Sequence, residues 1–325
     1  GVLTYGGISL FVVVFAMYPL GLELFREANI TRKLLPGAIA LGSFTFTMTA
    51  IPGTPQIQNI IPTNYYGTTP TAAPIMGIVA AVLMFGLGLM WLHYRERKFT
   101  AAGEFFTEPK NREGIEVDYS NLPNPFLSFL PLITVILTMN MLDWDIILAL
   151  LAGIVLSMII SFNKYKGFTK SISNGAVGSI TAILNTAAAV GFGTVVKAVP
   201  GFATLTDVLL NVPGTPLISE AIAVNLLAGA TGSASGGMSI ALEALGEKYL
   251  AIALETGINP AAFHRVASLA SGGLDTLPHN GAVLTLLAVT GMTHKDSYID
   301  IMMTSLVLPI VSSIPAILLG SLGIY

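Results

Sequence analysis

The chain has 325 residues, of which 53% are hydrophobic and only 10% charged, with a formal net charge of −3. Soluble domains carry about 25% charged residues, so the mean hydropathy of +0.75 points to a chain mostly immersed in lipid. No basic stripe with interleaved aromatics occurs, which argues against nucleic acid as a partner. The absence of cysteine excludes disulfides, thiolate metal sites and cysteine nucleophiles.

The chain opens at Gly1-Val-Leu-Thr-Tyr-Gly-Gly, directly inside an apolar run. No charged leader or cleavage site precedes that run, so it is not a signal peptide, and the first repeat is expected to be truncated at its N-terminus. A bilayer-spanning helix needs about 20 mostly apolar residues. In chain order the candidates are Val2 to Phe25, Ala72 to Leu92, a shorter Phe126 to Met141, Asp145 to Phe162, Val177 to Val199, Phe263 to Thr290 and Ile301 to Leu322. Two further apolar stretches, about residues 36–60 and 217–250, each carry a Gly/Ser/Thr/Pro centre. They read as re-entrant helical hairpins, the alternative being a helix kinked by Pro or Gly. The segments at about 66–92 and 263–290 read as broken helices.

The fold class expected is therefore all-α: a polytopic membrane protein with two repeats, each with one hairpin and one broken helix. The first would occupy residues 1–125, with a hydrophilic loop over 93–124, and the second residues 126–325. Three basic clusters (Arg26, Arg32 and Lys33; Arg95, Arg97 and Lys98; Lys164, Lys166 and Lys170) cannot all face one side if 36–60 doubles back and 72–92 crosses once.

Lipid cannot hydrogen-bond a freed N–H or C=O, so broken backbone at membrane depth must be covered by protein or line a cavity. Interrupted segments at matching places in two halves point to a transporter's binding site. At the first tip lie Thr49, Gly53, Thr54 and Gln56; at the second lie Thr231, Ser233, Ser235 and Gly236. Glycine admits a ligand close to the backbone, and helix ends there would aim N–H dipoles at an anion. Small residues also serve simple helix packing, but Pro52-Gly53-Thr54-Pro55 cannot continue a helix. Asp275 and His279 stand in an apolar segment around Pro278, and an ionisable group at that depth is a functional candidate: Asp275 for a coupling proton, His279 for a relay. Asn280 could bond the unwound backbone or a substrate. Glu220 reads as a helix-start cap, His264 and Arg265 as interfacial, and Lys197 as a snorkelling amine. His-Glu-x-x-His, Gly-x-Ser-x-Gly and a Walker lysine are all missing, so no enzyme, cofactor or metal site is expected.

Tyr5-Gly-Gly-Ile-Ser-Leu-Phe, Thr47-Met-Thr-Ala-Ile-Pro-Gly-Thr-Pro-Gln-Ile-Gln-Asn59 and Ser271-Gly-Gly-Leu-Asp-Thr-Leu-Pro-His-Asn-Gly281 resemble the gluconate permease family of the ion transporter superfamily. The resemblance implies two inverted repeats, a mobile transport domain beside a scaffold domain that often forms a homodimer, and proton-coupled uptake of a small organic acid such as gluconate, another sugar acid or a hydroxybutyrate-like carboxylate. By position it adds Asn59, Thr69 and Thr276 to the substrate-binding set. Localisation in a bacterial inner membrane follows from the same likeness. Sodium-using members of the superfamily carry Ser-Asn-Thr tips, which this chain lacks; a cation/proton antiporter of similar architecture is the rival reading.

Overall fold

A computed structural model describes residues 1–109, 124–201, 204, 207–208 and 212–325. Residues 110–123 of the expected hydrophilic loop and the Lys197 side chain lie outside the described residues. Every regular element among the described residues is helical. The helices are α1 (Val2–Tyr5), α2 (Leu10–Glu27), α3 (Leu35–Ser43), α4 (Phe46–Thr49), α5 (Ile57–Tyr66), α6 (Pro74–Ala101), α7 (Pro125–Met141), α8 (Ile146–Ile160), α9 (Phe168–Ala198), α10 (Pro216–Thr231), α11 (Ala234–Thr256), α12 (Pro260–Ser271), α13 (Gly281–Thr290), α14 (His294–Met302) and α15 (Leu308–Ser321).

Local chemistry sets many of their starts. Proline occupies the first turn of α6, α10 and α12, where its missing N–H costs nothing. Asp145 and Asn259 cap α8 and α12 by accepting from Ile147 N and Ala261 N at 2.8 and 2.9 Å. Thr293 and Asp296 form a reciprocal capping box at α14.

Among the described residues, two rods are individually long and apolar enough to cross a bilayer: α6, and the 28-residue run His294–Ser321 that joins α14 to α15 through a π-helical turn at Met303–Val307. They pack side by side with opposite ends together. Near the start of α6, Met76 lies against Gly320, where an added Cβ would come within 2.9 Å of its Cε. Near its other end, Arg95 grips the fully buried Asp300 with Nε (2.7 Å) and Nη2 (3.2 Å), and Trp91 Nε1 donates to the same carboxylate at 3.0 Å. The outer flanks of these rods expose Ile78, Val82, Phe85, Leu89, Val311, Ile314 and Leu318. Buried Asp, Arg, His, Thr and Ser lie behind them. Apolar outside and polar inside is the distribution that lipid requires.

Over 217–250, α10 and α11 form a close antiparallel pair. They reverse at Gly232 (φ +61) and Ser233. Gly237 sits on the backbone of Ala228 with no space for a side chain, and thirteen residues before the turn Ser219 still bonds the Tyr249 hydroxyl at 2.8 Å. Over 263–290, α12 ends at Ser271, one short 3₁₀ turn covers Leu274–Thr276, and α13 starts at Gly281.

Residues 36–60 differ from the doubled-back limbs expected of them. Gly37, in α3, lies beside Asp300 and Leu92, whereas Tyr66, ending α5, bonds Glu220, and Pro74 begins α6 only eight residues later. Leu92 and Pro74 are 18 residues apart on one straight helix, about 27 Å at 1.5 Å per residue. The prolines at 52 and 55 stop the helix, but the extended link at Thr54–Gln56 does not reverse it, and α5 is carried forward onto α11 and α12. The interruption within 66–92 is the turn over residues 67–73, between α5 and α6, and from Pro74 onward α6 runs uninterrupted. Arg26 pairs with Glu108 (2.9 Å), and Lys33 with Glu104, so the 26–33 cluster and the end of α6 share one face. The conflict between these two clusters came from the assumed hairpin.

Removing one partner of a buried ion pair costs about 3–5 kcal/mol. Asp300→Asn should therefore lower the thermal unfolding temperature of the detergent-solubilised chain markedly. Adding Arg95→Gln should cost less than its own single effect, because the pair is already broken.

Candidate functional site

The two helix breaks are built alike. Asn59 Nδ2 donates to Thr54 O (2.9 Å), five residues back, and to Pro70 O (2.8 Å). Asn280 Nδ2 donates to Asp275 O (2.8 Å), again five back, and to Gly232 O (2.9 Å) at the α10–α11 turn. In each case one buried amide satisfies a carbonyl that the broken helix left free and ties it to a neighbouring loop.

Around the first break, the Tyr5 hydroxyl donates to Pro52 O (3.1 Å), Thr54 Oγ1 donates to Tyr5 O (2.9 Å), and Gln56 Nε2 donates to Thr4 O and Ile8 O (2.6 and 3.1 Å). The α1–α2 turn thus seats on residues 52–56 as the α10–α11 turn seats on 275–280. Gly53 (φ +80) meets Asn140 of α7, whose Nδ2 donates to Gly53 O at 2.8 Å. A Cβ there would lie 2.9 Å from Asn140 Oδ1, so only glycine fits on both counts.

Around the second break, Asn225 Oδ1 of α10 accepts from Leu274 N (3.1 Å), and Thr276 Oγ1 donates to Ser305 O in the π turn (3.0 Å). Tyr298 donates to Thr276 O (3.1 Å) and His294 Nε2 to Pro278 O (3.0 Å). Asp275 is buried, and among the described residues its Oδ1 has no hydrogen-bond partner. His279 is exposed, with its ring edge against Gly232. Thr231 is exposed and bonds back to Leu227 O (2.8 Å), while Ser233 caps α11 by accepting from Gly236 N (3.1 Å). Ser235 and Gly236 are half-buried in the first turn of α11. The N-termini of α11 and α13 thus stand together, capped by Ser233 and Asn280.

The two breaks touch. Ser268 Oγ donates to Thr49 O at 2.8 Å, and a Cβ on Gly272 would lie 2.8 Å from Thr49 Cγ2. Of the residues selected from sequence, Thr49, Gly53, Thr54, Gln56 and Asn59 gather at the first break, and Thr231, Ser233, Ser235, Gly236, Asp275, Thr276, His279 and Asn280 at the second. Thr69 stays exposed on the 67–73 turn, bonded to Thr71 (2.9 Å).

Arg265 is not interfacial. It is fully buried, and among the described residues no carboxylate pairs with it. Its guanidinium spans both sides of the first break: Nη1 to Asn59 Oδ1 (2.9 Å), Ala50 O (3.3 Å) and Thr49 O (3.5 Å), Nη2 to Ala72 O (2.7 Å) and Pro70 O (3.3 Å), Nε to Ala72 O (3.1 Å). His264 is equally buried. It meets Thr68 Oγ1 through Nδ1 (2.6 Å) and Asn59 Oδ1 through Nε2 (3.3 Å). Asn59 Oδ1 can only accept, so Nε2 carries the proton and Nδ1 accepts from Thr68. Glu220, read from sequence as a cap, instead bonds Tyr66. The signal for these three was ionisable chemistry inside apolar runs, with no opposite charge within a helical turn.

Helical in every regular element among the described residues, with lipid-compatible flanks and an interior of clamped helix breaks, the chain has the make-up of a membrane transporter. The comparison with known sequences gives the same class. Over 348 aligned positions, which cover 94% of this chain and 74% of the relative, it is 41% identical to the uncharacterized transporter YxjC of Bacillus subtilis. The chain belongs to the same transporter family as YxjC. No protein-family model matches it.

Buried acceptors left without a donor cost about 1–3 kcal/mol each. Of the five that Arg265 serves, Thr49 O, Pro70 O and Asn59 Oδ1 keep Ser268, Gly53 and His264, whereas among the described residues Ala50 O and Ala72 O depend on Arg265. Arg265→Leu should abolish recovery of monodisperse protein or lower its unfolding temperature sharply. Thr69→Ala, on the exposed turn, should leave that temperature unchanged.

Proposed function

We infer that this chain is a secondary transporter that takes up a small organic acid anion together with a proton by alternating access in a bacterial inner membrane. The observation that carries the reading is Asp275: a buried carboxylate with an unpartnered oxygen, held in a helix break whose backbone is tied to the tip of a helical pair. An ionised carboxylate is costly to enclose without a compensating charge. A carrier that closes over such a group must supply a proton or a cation, and that requirement links charge to movement.

The anion's place in this reading is the face formed where α11 and α13 begin. Helix N-termini present free N–H groups and a positive dipole end; the Ser233 and Ser235 hydroxyls and the His279 ring stand around them, and Thr231 and Asn280, whose own donors are spent on backbone carbonyls, shape the face. The corresponding face at Thr49, Gly53, Thr54, Gln56 and Asn59, with Thr69 at its rim, would complete the site. The matching clamps at Asn59 and Asn280, and the packing of α2 on α13 and of α11 on α5, support two inverted repeats. In this pairing α1–α2 corresponds to α10–α11, and the broken α3–α5 to α12–α13. The resemblance to the gluconate permeases supports a sugar acid or hydroxybutyrate-like carboxylate as cargo and a homodimeric assembly.

In vesicles with an imposed pH gradient, Asp275→Asn should reduce accumulation of labelled gluconate or hydroxybutyrate to the level of protein-free vesicles. Exchange of the same acid across the membrane should persist, because Asn stands in for the protonated form. Accumulation unchanged in Asp275→Asn would remove the assignment. Sodium efflux driven by the gradient, without movement of any organic acid, would establish the antiporter instead.

A further inference from the structure

Glu220 is the fifth residue of α10, fully buried, and the reading above gives it no task. Its Oε1 shares a hydrogen bond with the Tyr66 hydroxyl at the end of α5, and its Oε2 has no partner. The surroundings are apolar and aromatic. The Phe263 ring lies 6.0 Å from that of Tyr66 and 6.1 Å from that of Tyr249.

The titratable groups on the neighbouring elements do not neutralise it. From α5 comes Tyr66 itself, and from α11 Tyr249, whose hydroxyl is engaged with Ser219. On α12, His264 turns to Thr68 and Asn59, and Arg265 spends its donors on the first break. The adjoining break contributes Asp275, a second acid. The α15 sequence contains no titratable residue. Among the described residues, a carboxylate in this position has one donor and no counter-ion. Burying it ionised is far costlier than burying it as a neutral acid.

The pair also spans a junction. Tyr66 belongs to the helix that follows the first break, and Glu220 to the pair whose tip clamps the second. Five residues along α10 separate Glu220 from Asn225, whose side chain holds Leu274 N, next to Asp275. Movement of α5 against α10 would part Tyr66 from Glu220 and open the carboxyl to water.

We propose that Glu220 is a second proton-binding site, distinct from Asp275, that holds its proton while Tyr66 covers it and exchanges it with water when α5 and α10 separate. The proton comes from water, binds one carboxyl oxygen and returns to water, with no other bond changed. The part this site plays in transport rests on the function inferred above; its occupancy by a proton does not.

Infrared spectra of the lipid-reconstituted full chain test the occupancy. At neutral pH the wild type should show the C=O stretch of a protonated carboxyl that Glu220→Gln lacks and Asp275→Asn retains. Tyr66→Phe, which removes the hydrogen bond and keeps the acid, should shift that band to higher frequency without erasing it. Spectra of Glu220→Gln identical to wild type would overturn the proposal. Should that variant fail to fold, an unmoved band in Tyr66→Phe would do the same. In vesicles, Glu220→Gln should lower by one the protons carried per organic anion. A wild type that moves no organic acid would defeat the transport reading while leaving the infrared result to stand on its own.

Discussion

A helix broken in the interior of a membrane protein leaves carbonyls that no lipid can satisfy. Arg265 answers that demand at the first break. Its guanidinium meets five oxygens drawn from Thr49, Ala50, Asn59, Pro70 and Ala72. It comes from α12, in the opposite half of the chain, so the same side chain that repairs one break fixes it to the helix leading into the other. The planar fork suits this task, and lysine's single ammonium could not reach both sides. Asn59 acts as the hub, accepting from Arg265 and His264 while its amide donates to the backbone.

The two breaks share their amide clamps and differ in charge. The first holds a cation whose donors are consumed by carbonyls. The second holds an acid, Asp275, with an oxygen left over. Where Asn59 reaches back to Thr54, Asn280 reaches back to Asp275, so a neutral hydroxyl at one break stands where the other has a carboxyl. On the proposed function, the first break serves as a fixed frame and the second exchanges charge. The π turn at Met303–Val307, which receives Thr276 through Ser305 O, places a locally irregular helix beside the second break. Such turns concentrate at functional sites.

Breaks were legible in the sequence because Pro52-Gly53-Thr54-Pro55 and Ser271-Gly-Gly-Leu-Asp-Thr-Leu-Pro278 contain residues that cannot propagate a helix. Their direction was not. Whether the chain reverses or continues after a break depends on what the next helix packs against, and α5 finds α11 and α12, both nearly two hundred residues away. The α10–α11 reversal was easier to read, since Gly232 adopts the left-handed conformation that a tight turn needs. Asp275 stood out as an acid in an apolar run. Arg265, His264 and Glu220 did not, because each lies within two turns of a helix start, where a charged side chain normally meets water. Here the starts of α10 and α12 are half-exposed, but all three side chains turn inward and are buried.

The account depends on the two breaks meeting at Thr49 and Gly272, and the absence of cysteine makes that contact directly measurable. A Cβ on Gly272 would lie 3.6 Å from Thr49 Cβ, within the range of about 3.5–4.5 Å that a disulfide spans, and Gly272 has a negative φ that a cysteine can adopt. The membrane-embedded Thr49→Cys, Gly272→Cys variant should therefore lose both free thiols on mild oxidation, while each single variant keeps its thiol. A folded double variant whose two thiols both remain open to alkylation would contradict the account.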